Sequence, residues 1–376
     1  MNHCGARRRF AVVLCDPRRY NRAPNGESRR VRKLHSFEAS LLRALGTLVS
    51  PGGSRASLLV LIYHRVLDRP DPLLDGEPDA TRFAAEMDVV RSVSNVLPLA
   101  EAVERLASGS LPPRALSVTF DDGYANNRTI AAPILKERGI PATVFIATGF
   151  IGSNGRMWND TVIESLRSAD RVDLRDLGAR EYELDGTATR RAAIDETLRA
   201  LKHLPPEERL RRAEEIAARV GLPPPRDVML TEKQIHELGD FGIDIGAHTV
   251  THPILMSVAP ERARREIADS KDALEGITRA PVKLFAYPNG QPDRDYDRQH
   301  VQMVRAAGFS GAVSTAWGAA GPHTDRYQLP RMLPWDKSPV RFSARLLRTY
   351  RSLHADTARS GEPRAAAGAA PASREL

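Results

Sequence analysis

The sequence predicts an α/β protein built on a largely parallel sheet or barrel. Short apolar runs alternate with helical stretches along most of the chain, the rhythm of strand–helix–strand units. The runs are apolar throughout rather than on every second residue, as in strands buried on both faces. His64, Asp121-Asp122 and His248 each stand where such a run stops, and parallel α/β folds bind their ligands at the carboxyl ends of strands.

Residues 1–55 read as a basic tail with one helix. They hold 12 Lys/Arg against 3 Asp/Glu, whereas the rest holds 43 against 44, so the net charge of +8 belongs to the tail. No basic stripe interleaved with aromatics marks a nucleic-acid face in the remainder. "FAVVLC" (10–15) follows three arginines but is too short for a signal peptide, leaving cytoplasmic as the default expectation. A start codon placed too far upstream would also account for residues 1–40. The helix at 37–49 sets Phe37, Leu41, Leu42, Leu45, Leu48 and Val49 on one face. That face is read as packing on the domain, with membrane-surface contact as the alternative. No apolar run is long enough to span a membrane. The only cysteines are Cys4 and Cys15, so the rest of the chain offers no disulfide and no thiolate metal site.

The strands are expected at 57–64, 115–122, 142–148, 241–248, 282–288 and 309–315. Helical stretches at 130–138, 260–275 and 296–307 lie between them. An insertion at about 155–230 reads as mostly helical and charged, and a Thr231–Gln234 capping box opens the next helix. The catalytic domain is expected over 56–350, with a disordered tail of Ala, Gly, Pro, Ser and charge over 351–376.

Two adjacent carboxylates at a strand end repel each other unless something compensates. Side chains adjacent on a strand point to opposite faces, so Asp121 and Asp122 can share a site only where the strand breaks, and Gly123 is read as the break. In "HTVTHP", His248 and His252 are four apart, and Pro253 favours a turn over a helix. Two histidines and one carboxylate make an open divalent-metal site. One aspartate would bind the metal. The other would stay free as a base for water acidified by it, which is metal-assisted hydrolysis.

"TFDDGY" followed by "HTVTH" resembles the polysaccharide deacetylases, the NodB-homology group of carbohydrate esterase family four, over roughly residues 56–345. The resemblance implies a distorted (β/α)7 barrel, and a reaction that removes N-acetyl, or sometimes O-acetyl, groups from a glycan. It implies Asp121 as the base and Asp122, His248 and His252 as ligands of a divalent ion, zinc first, with cobalt, nickel or iron also suited. The family's Arg-x-Pro-Tyr motif reads Ala286-Tyr287-Pro288-Asn289 here. The arginine that steadies the base is missing, and Arg331 of "QLPRMLP" is the expected substitute. Asn289 stands in for the Tyr whose backbone N–H serves the oxyanion, a role that survives the change of side chain.

"LIYHRV" is similar to the permuted general-acid motif of exopolysaccharide deacetylases, which implies His64 as the acid, with His323 of "GPHTDRY" as the alternative. Trp158, Tyr124 and Tyr287 are expected near the substrate, with core packing the alternative for Trp158 and Tyr124. His35, His203, His236, His300 and His354 are expected in solvent. A non-catalytic glycan-binding relative and a hydrolase of a non-sugar amide are the competing readings.

Overall fold

Seven parallel strands form a ring whose interior is packed and whose carboxyl ends gather the polar residues. A computed structural model describes residues 36–152, 156–177, 179–336 and 338–353, with side chains from residue 38 onward. The expectations about Cys4, Cys15, His35, His354 and the two tails rest wholly or mainly on residues outside these.

In chain order the elements begin with α1 (Ser36–Val49), β1 (Leu58–Tyr63), α2 (Ala80–Val93), β2 (Asn95–Val96), α3 (Leu99–Ala107) and β3 (Ala115–Phe120). Next come α4 (Ala132–Arg138), β4 (Ala142–Ile146), α5 (Trp158–Ser168), β5 (Arg171–Asp173), β6 (Glu181–Glu183), α6 (Thr187–Leu201) and α7 (Pro206–Arg219). The chain then continues through α8 (Glu232–Gly239), β7 (Ile243–Ala247), α9 (Pro260–Thr278) and β8 (Leu284–Ala286). It closes with α10 (Arg298–Ala306), β9 (Gly311–Trp317), β10 (Leu329–Arg331) and α11 (Pro339–Arg351).

The sheet order is β1-β3-β4-β7-β8-β9-β10, with β2 added to β3, and every pairing is parallel. The Met332 N–H donates to the Val60 carbonyl at 2.8 Å and the Ile62 N–H to the Met332 carbonyl at 3.1 Å. These bonds bring the last strand back to the first, giving a nearly closed (β/α)7 barrel of the NodB type.

Alternation along the strands divides the core. Leu59, Leu61 and Tyr63 of β1 pack with Phe83, Met87 and Val90 of α2. Leu58 and Val60 cluster with Ala115, Phe145, Ala286, Val313 and Leu329 from strands around the ring, contacts that only the barrel interior permits. Leu99, Ala102, Val103 and Leu106 of α3 join that cluster at the residues that begin β1, β3 and β8, so α3 plugs the amino-terminal end. The carboxyl end is left for chemistry. Gly246 is the strand residue that admits the Phe145 ring to the interior, since a Cβ there would lie 2.4 Å from it.

Several expectations change. The sequence reading had no strand at β10, which holds Pro330 and pairs with β9 through a register shift; proline lacks the N–H a regular ladder needs. The 155–230 segment contains, besides α5, α6 and α7, an antiparallel pair β5–β6, and the three helices share their own core of Val162, Leu166, Ile194, Ala213 and Ile216. The apolar face expected on α1 divides. Leu42 and Val49 pack on the core, while Leu41, Leu45 and Leu48 are exposed. His300, expected in solvent, is buried at the start of α10, where its Nδ1 meets the Asp297 carboxylate at 2.7 Å in a capping box. Among the described residues no helix is long and apolar enough to cross a membrane.

Candidate active site

The two aspartates separate because the backbone turns between them. Strand β3 ends at Phe120, Asp122 itself adopts a left-handed conformation (φ 74°), and Gly123 follows at φ 84°. The break therefore starts one residue before the glycine that the sequence pointed to. Gly123 also sits tightly, since a Cβ would come within 3.0 Å of Ile146. A left-handed aspartate costs on the order of 1–3 kcal/mol and persists only where its surroundings impose it.

The second half of the site follows β7. His248 begins an irregular loop in which Thr249 (φ 65°) and His252 (φ 52°) are left-handed. The loop is held from beneath by Glu266 of α9. Its Oε2 accepts the Val250 and Thr251 N–H groups at 2.9 and 2.8 Å, and its Oε1 accepts the Thr251 hydroxyl at 2.5 Å. The Thr249 hydroxyl accepts the His252 N–H at 3.1 Å. The two imidazoles are thereby brought together without a helix.

Asp122, His248 and His252 form a group that could hold a metal ion. The His248 and His252 Nε2 atoms are 3.1 Å apart, and each lies 3.4 Å from Asp122 Oδ1. Ligands at about 2.0–2.1 Å from a tetrahedral ion stand about 3.3 Å from one another, so this triangle fits such an ion without rearrangement. The His248 Nδ1–H donates to the Ala286 carbonyl at 2.8 Å, which leaves Nε2 as the lone-pair atom. Burial pushes the His252 imidazole down to about 3, so it is neutral as a ligand must be. Burial also works against charge on His248, but Asp121 and Asp122 outweigh it and raise its pKa. Burial opposes ionisation of Asp122, and the histidines overcome it, holding the carboxyl well below its usual range. A carboxylate oxygen and two imidazole nitrogens converging here are a donor set suited to a divalent cation.

Asp121 stands beside this triangle, 4.0 Å from His248 Nε2. Both its oxygens are taken by Arg331, at 2.7 Å each. Arg331 is buried, and its Nε donates to the Ser314 carbonyl at 2.8 Å. Burial pushes the Asp121 carboxyl up, but the guanidinium, with His248 and His64, holds it below its ordinary value. His64, at the end of β1, is close enough to both aspartates to favour their charged forms. Its carbonyl accepts the Asn127 side-chain amide at 2.9 Å, and the preceding Tyr63 carbonyl accepts the Asp121 N–H at 2.9 Å. His323 lies exposed in the turn before β10.

Asn289 is left-handed (φ 57°) and half-buried beyond β8, and among the described residues its N–H has no hydrogen-bond acceptor. Two expected substrate contacts are corrected. Tyr287 is fully buried, stacked on Tyr296 at 3.8 Å, and its hydroxyl donates to the Tyr327 carbonyl at 3.1 Å. Tyr124 is buried too. Its hydroxyl donates to Asp160 at 2.9 Å, and its ring lies 3.7 Å beneath the Arg65 guanidinium. Both are core residues that shape the site from behind. Trp158 is half-buried against the core of α5, α6 and α7 and lies 5.0 Å from the Arg209 guanidinium.

Sequence reasoning missed Glu266, Arg65 and Asp160. Arg65 bonds Asp160 at 2.5 Å, tying the residue after His64 to α5. Glu266 had one faint signal: it lies between Ala263, Ile267 and Ser270 on the buried face of an otherwise charged helix.

A parallel barrel that gathers at its carboxyl end an Asp-His-His group able to hold a metal ion and a second, arginine-bound aspartate has the parts of a hydrolase site. The chain belongs to the polysaccharide deacetylase family, whose model matches residues 108–312. The family comprises hydrolases of the amide in carbohydrate N-acetyl groups. The chain is 23% identical over 219 residues to the Bacillus subtilis (strain 168) protein YxkH, covering 58% of this chain and 51% of that one. It is 32% identical over 111 residues to the poly-beta-1,6-N-acetyl-D-glucosamine N-deacetylase of Staphylococcus epidermidis, covering 26% of this chain and 38% of that one. It thus spans about half or less of these relatives' length. The Streptococcus pyogenes deacetylase PplD, solved with acetate, superposes with a TM-score of 0.53 at 20% identity over 79% of this chain and 99% of that one. IcaB from Ammonifex degensii gives 0.51 at 21% over 79% and 98%. At these identities the two structures share the fold.

Proposed function

We propose that the chain is a divalent-metal-dependent hydrolase that removes N-acetyl groups from a glycan, in exopolysaccharide or cell-envelope carbohydrate metabolism. One observation carries this reading: the two adjacent aspartates have different partners. Asp122 joins the two histidines, while Asp121 is held out of that group by Arg331. Adjacent carboxylates in different environments take different roles.

In this reading Asp122, His248 and His252 hold the ion, and the His2Asp set suits zinc first. A divalent cation there supplies a Lewis acid that acidifies water and polarises a carbonyl oxygen. Asp121 takes a proton from the attacking water, whose oxygen bonds to the acetyl carbonyl carbon. The Asn289 N–H, which has no acceptor among the described residues, is the donor assigned to the developing oxyanion. The carbon–nitrogen bond then breaks, and His64 delivers a proton to the leaving amine. Acetate and a free amino sugar result. Arg331 keeps Asp121 ionised until it takes that proton, and oriented throughout. The Staphylococcus relative's name supports N-acetylglucosamine polymers as the first substrates to try.

The test is acetate release from N-acetylglucosamine oligomers by the purified protein, before and after EDTA and after zinc or cobalt is restored. Acetate lost with EDTA and recovered with metal supports the proposal. Metal bound but no acetate from any glycan points to a non-sugar amide. No metal bound leaves a glycan-binding role.

A further inference from the structure

Three buried or largely buried arginines surround the site, and two are matched. Arg331 has Asp121 and Arg65 has Asp160. The third, Arg209 of α7, is 4% exposed and has no carboxylate within ion-pair distance among the described residues. Its Nη1 donates to the Lys202 carbonyl at 3.3 Å and its Nη2 to the His252 carbonyl at 3.4 Å, both long and both to neutral acceptors. Its Nε has no partner. The carboxylate whose charge reaches it, Glu207, is paired with Arg262, and the adjacent Glu208 with Arg211 and Arg212.

Burying a guanidinium without a counter-charge is costly. The end of α6, at Lys202, offers only a partial negative charge. A fixed positive charge next to a metal ligand also works against metal binding. The reaction above does not use this charge.

Its surroundings share its sign. Lys202, His203 and Arg294 gather around the same corner, with Arg294 Nη2 3.4 Å from His203 Nε2. An acidic group at that corner, Asp295, faces Lys202, Arg294 and His203 and accepts the Gln291 N–H. Trp158 lies beneath the Arg209 guanidinium and the His252 carbonyl accepts from it, which sets this corner directly beside one of the candidate metal ligands.

We propose that Arg209, with Lys202 and Arg294 at its rim, forms a subsite for an anionic group of the glycan, a carboxylate or phosphate on the reacting sugar or its neighbour. The substrate is then an acidic N-acetylated glycan rather than a neutral one. This rests on the deacetylase reading and narrows it.

The test compares three tetrasaccharides at low salt: neutral N-acetylglucosamine, alternating N-acetylglucosamine and glucuronate, and N-acetylglucosamine phosphorylated at a 6-hydroxyl. The wild type should show kcat/KM at least about tenfold higher for one acidic substrate, the scale of a charge-assisted arginine contact. The carboxylate and phosphate arms distinguish the two sources. The preference should shrink with added salt, and Arg209→Met should reduce it to near unity. If Arg209→Met does not fold, Lys202→Met with Arg294→Met, at more exposed positions, should lower it several-fold. Equal rates on neutral and acidic substrates, or a preference that survives these changes, would overturn the subsite. Arg209→Met slowing all three equally would make Arg209 a support for the His252 loop instead. If no tetrasaccharide yields acetate, the deacetylase reading fails by itself. Binding of the same three sugars to Asp121→Asn protein then still reads the subsite: acidic ones bound tighter supports it, equal binding overturns it.

Discussion

Arg331 grips Asp121 by both carboxylate oxygens, from the opposite end of the chain's barrel sequence, while Asp122 one residue away has no part in that pair. The sign of its effect on pH dependence follows. Burial pushes the Asp121 carboxyl up and Arg331 holds it down. A base must be ionised, so activity falls on the acid side as Asp121 protonates. Arg331→Met should therefore move the acid limb of kcat/KM to higher pH and lower the value at pH 7 by on the order of 10²-fold. It should also destabilise the fold by about 3–5 kcal/mol, because a buried carboxylate loses its partner. An acid limb that stays in place while activity falls would mean that Arg331 only orients the base.

Glu266 should matter to the metal without touching it. Its two oxygens take three hydrogen bonds from the loop between the histidines. A glutamine has one acceptor oxygen for them. Glu266→Gln should weaken zinc binding about 10–100-fold, in the range found for residues that orient ligands. Competition with a chelator of known affinity measures this, and unchanged affinity would show that the loop is preformed without Glu266.

His64 and His323 are separable by leaving group. An amine needs a proton to leave, whereas nitrophenolate does not. His64→Gln should cost about 10²–10⁴-fold on an N-acetyl sugar and far less on nitrophenyl acetate. His323→Gln, in an exposed turn, should change neither rate. The reverse pattern would transfer the acid role to His323.

Gly246→Ala should cost about 1–3 kcal/mol in urea unfolding, the usual range for overpacking, because the new methyl would meet the Phe145 ring. Phe145→Leu in the same chain should recover part of it, since touching residues couple. No loss on Gly246→Ala would mean that the barrel interior is looser than its packing implies.

The sequence carried the site's local part well. Asp121-Asp122 and His248/His252 are each readable because their partners lie within a few residues. Most of the strands were legible as continuous apolar runs. Strand β10 was hidden by its length and by Pro330. Arg331 was named only because the family's own arginine is absent, since nothing local links positions 210 residues apart. The Arg65–Asp160 pair spans 95 residues and had no such prompt. Glu266 is one of many charges on α9, and only the fold decides which face of that helix meets the loop. Tyr124 and Tyr287 misled for the same reason: lying beside a motif residue does not fix which way a side chain points.

The most direct measurement is made on Asp121→Asn, with bound metal and released acetate determined on the same sample. The division between the two aspartates predicts near wild-type metal content, with acetate release from N-acetylated oligomers reduced at least about 10²-fold. Metal lost together with activity would place Asp121 among the ligands and contradict it, as would acetate release at the wild-type rate.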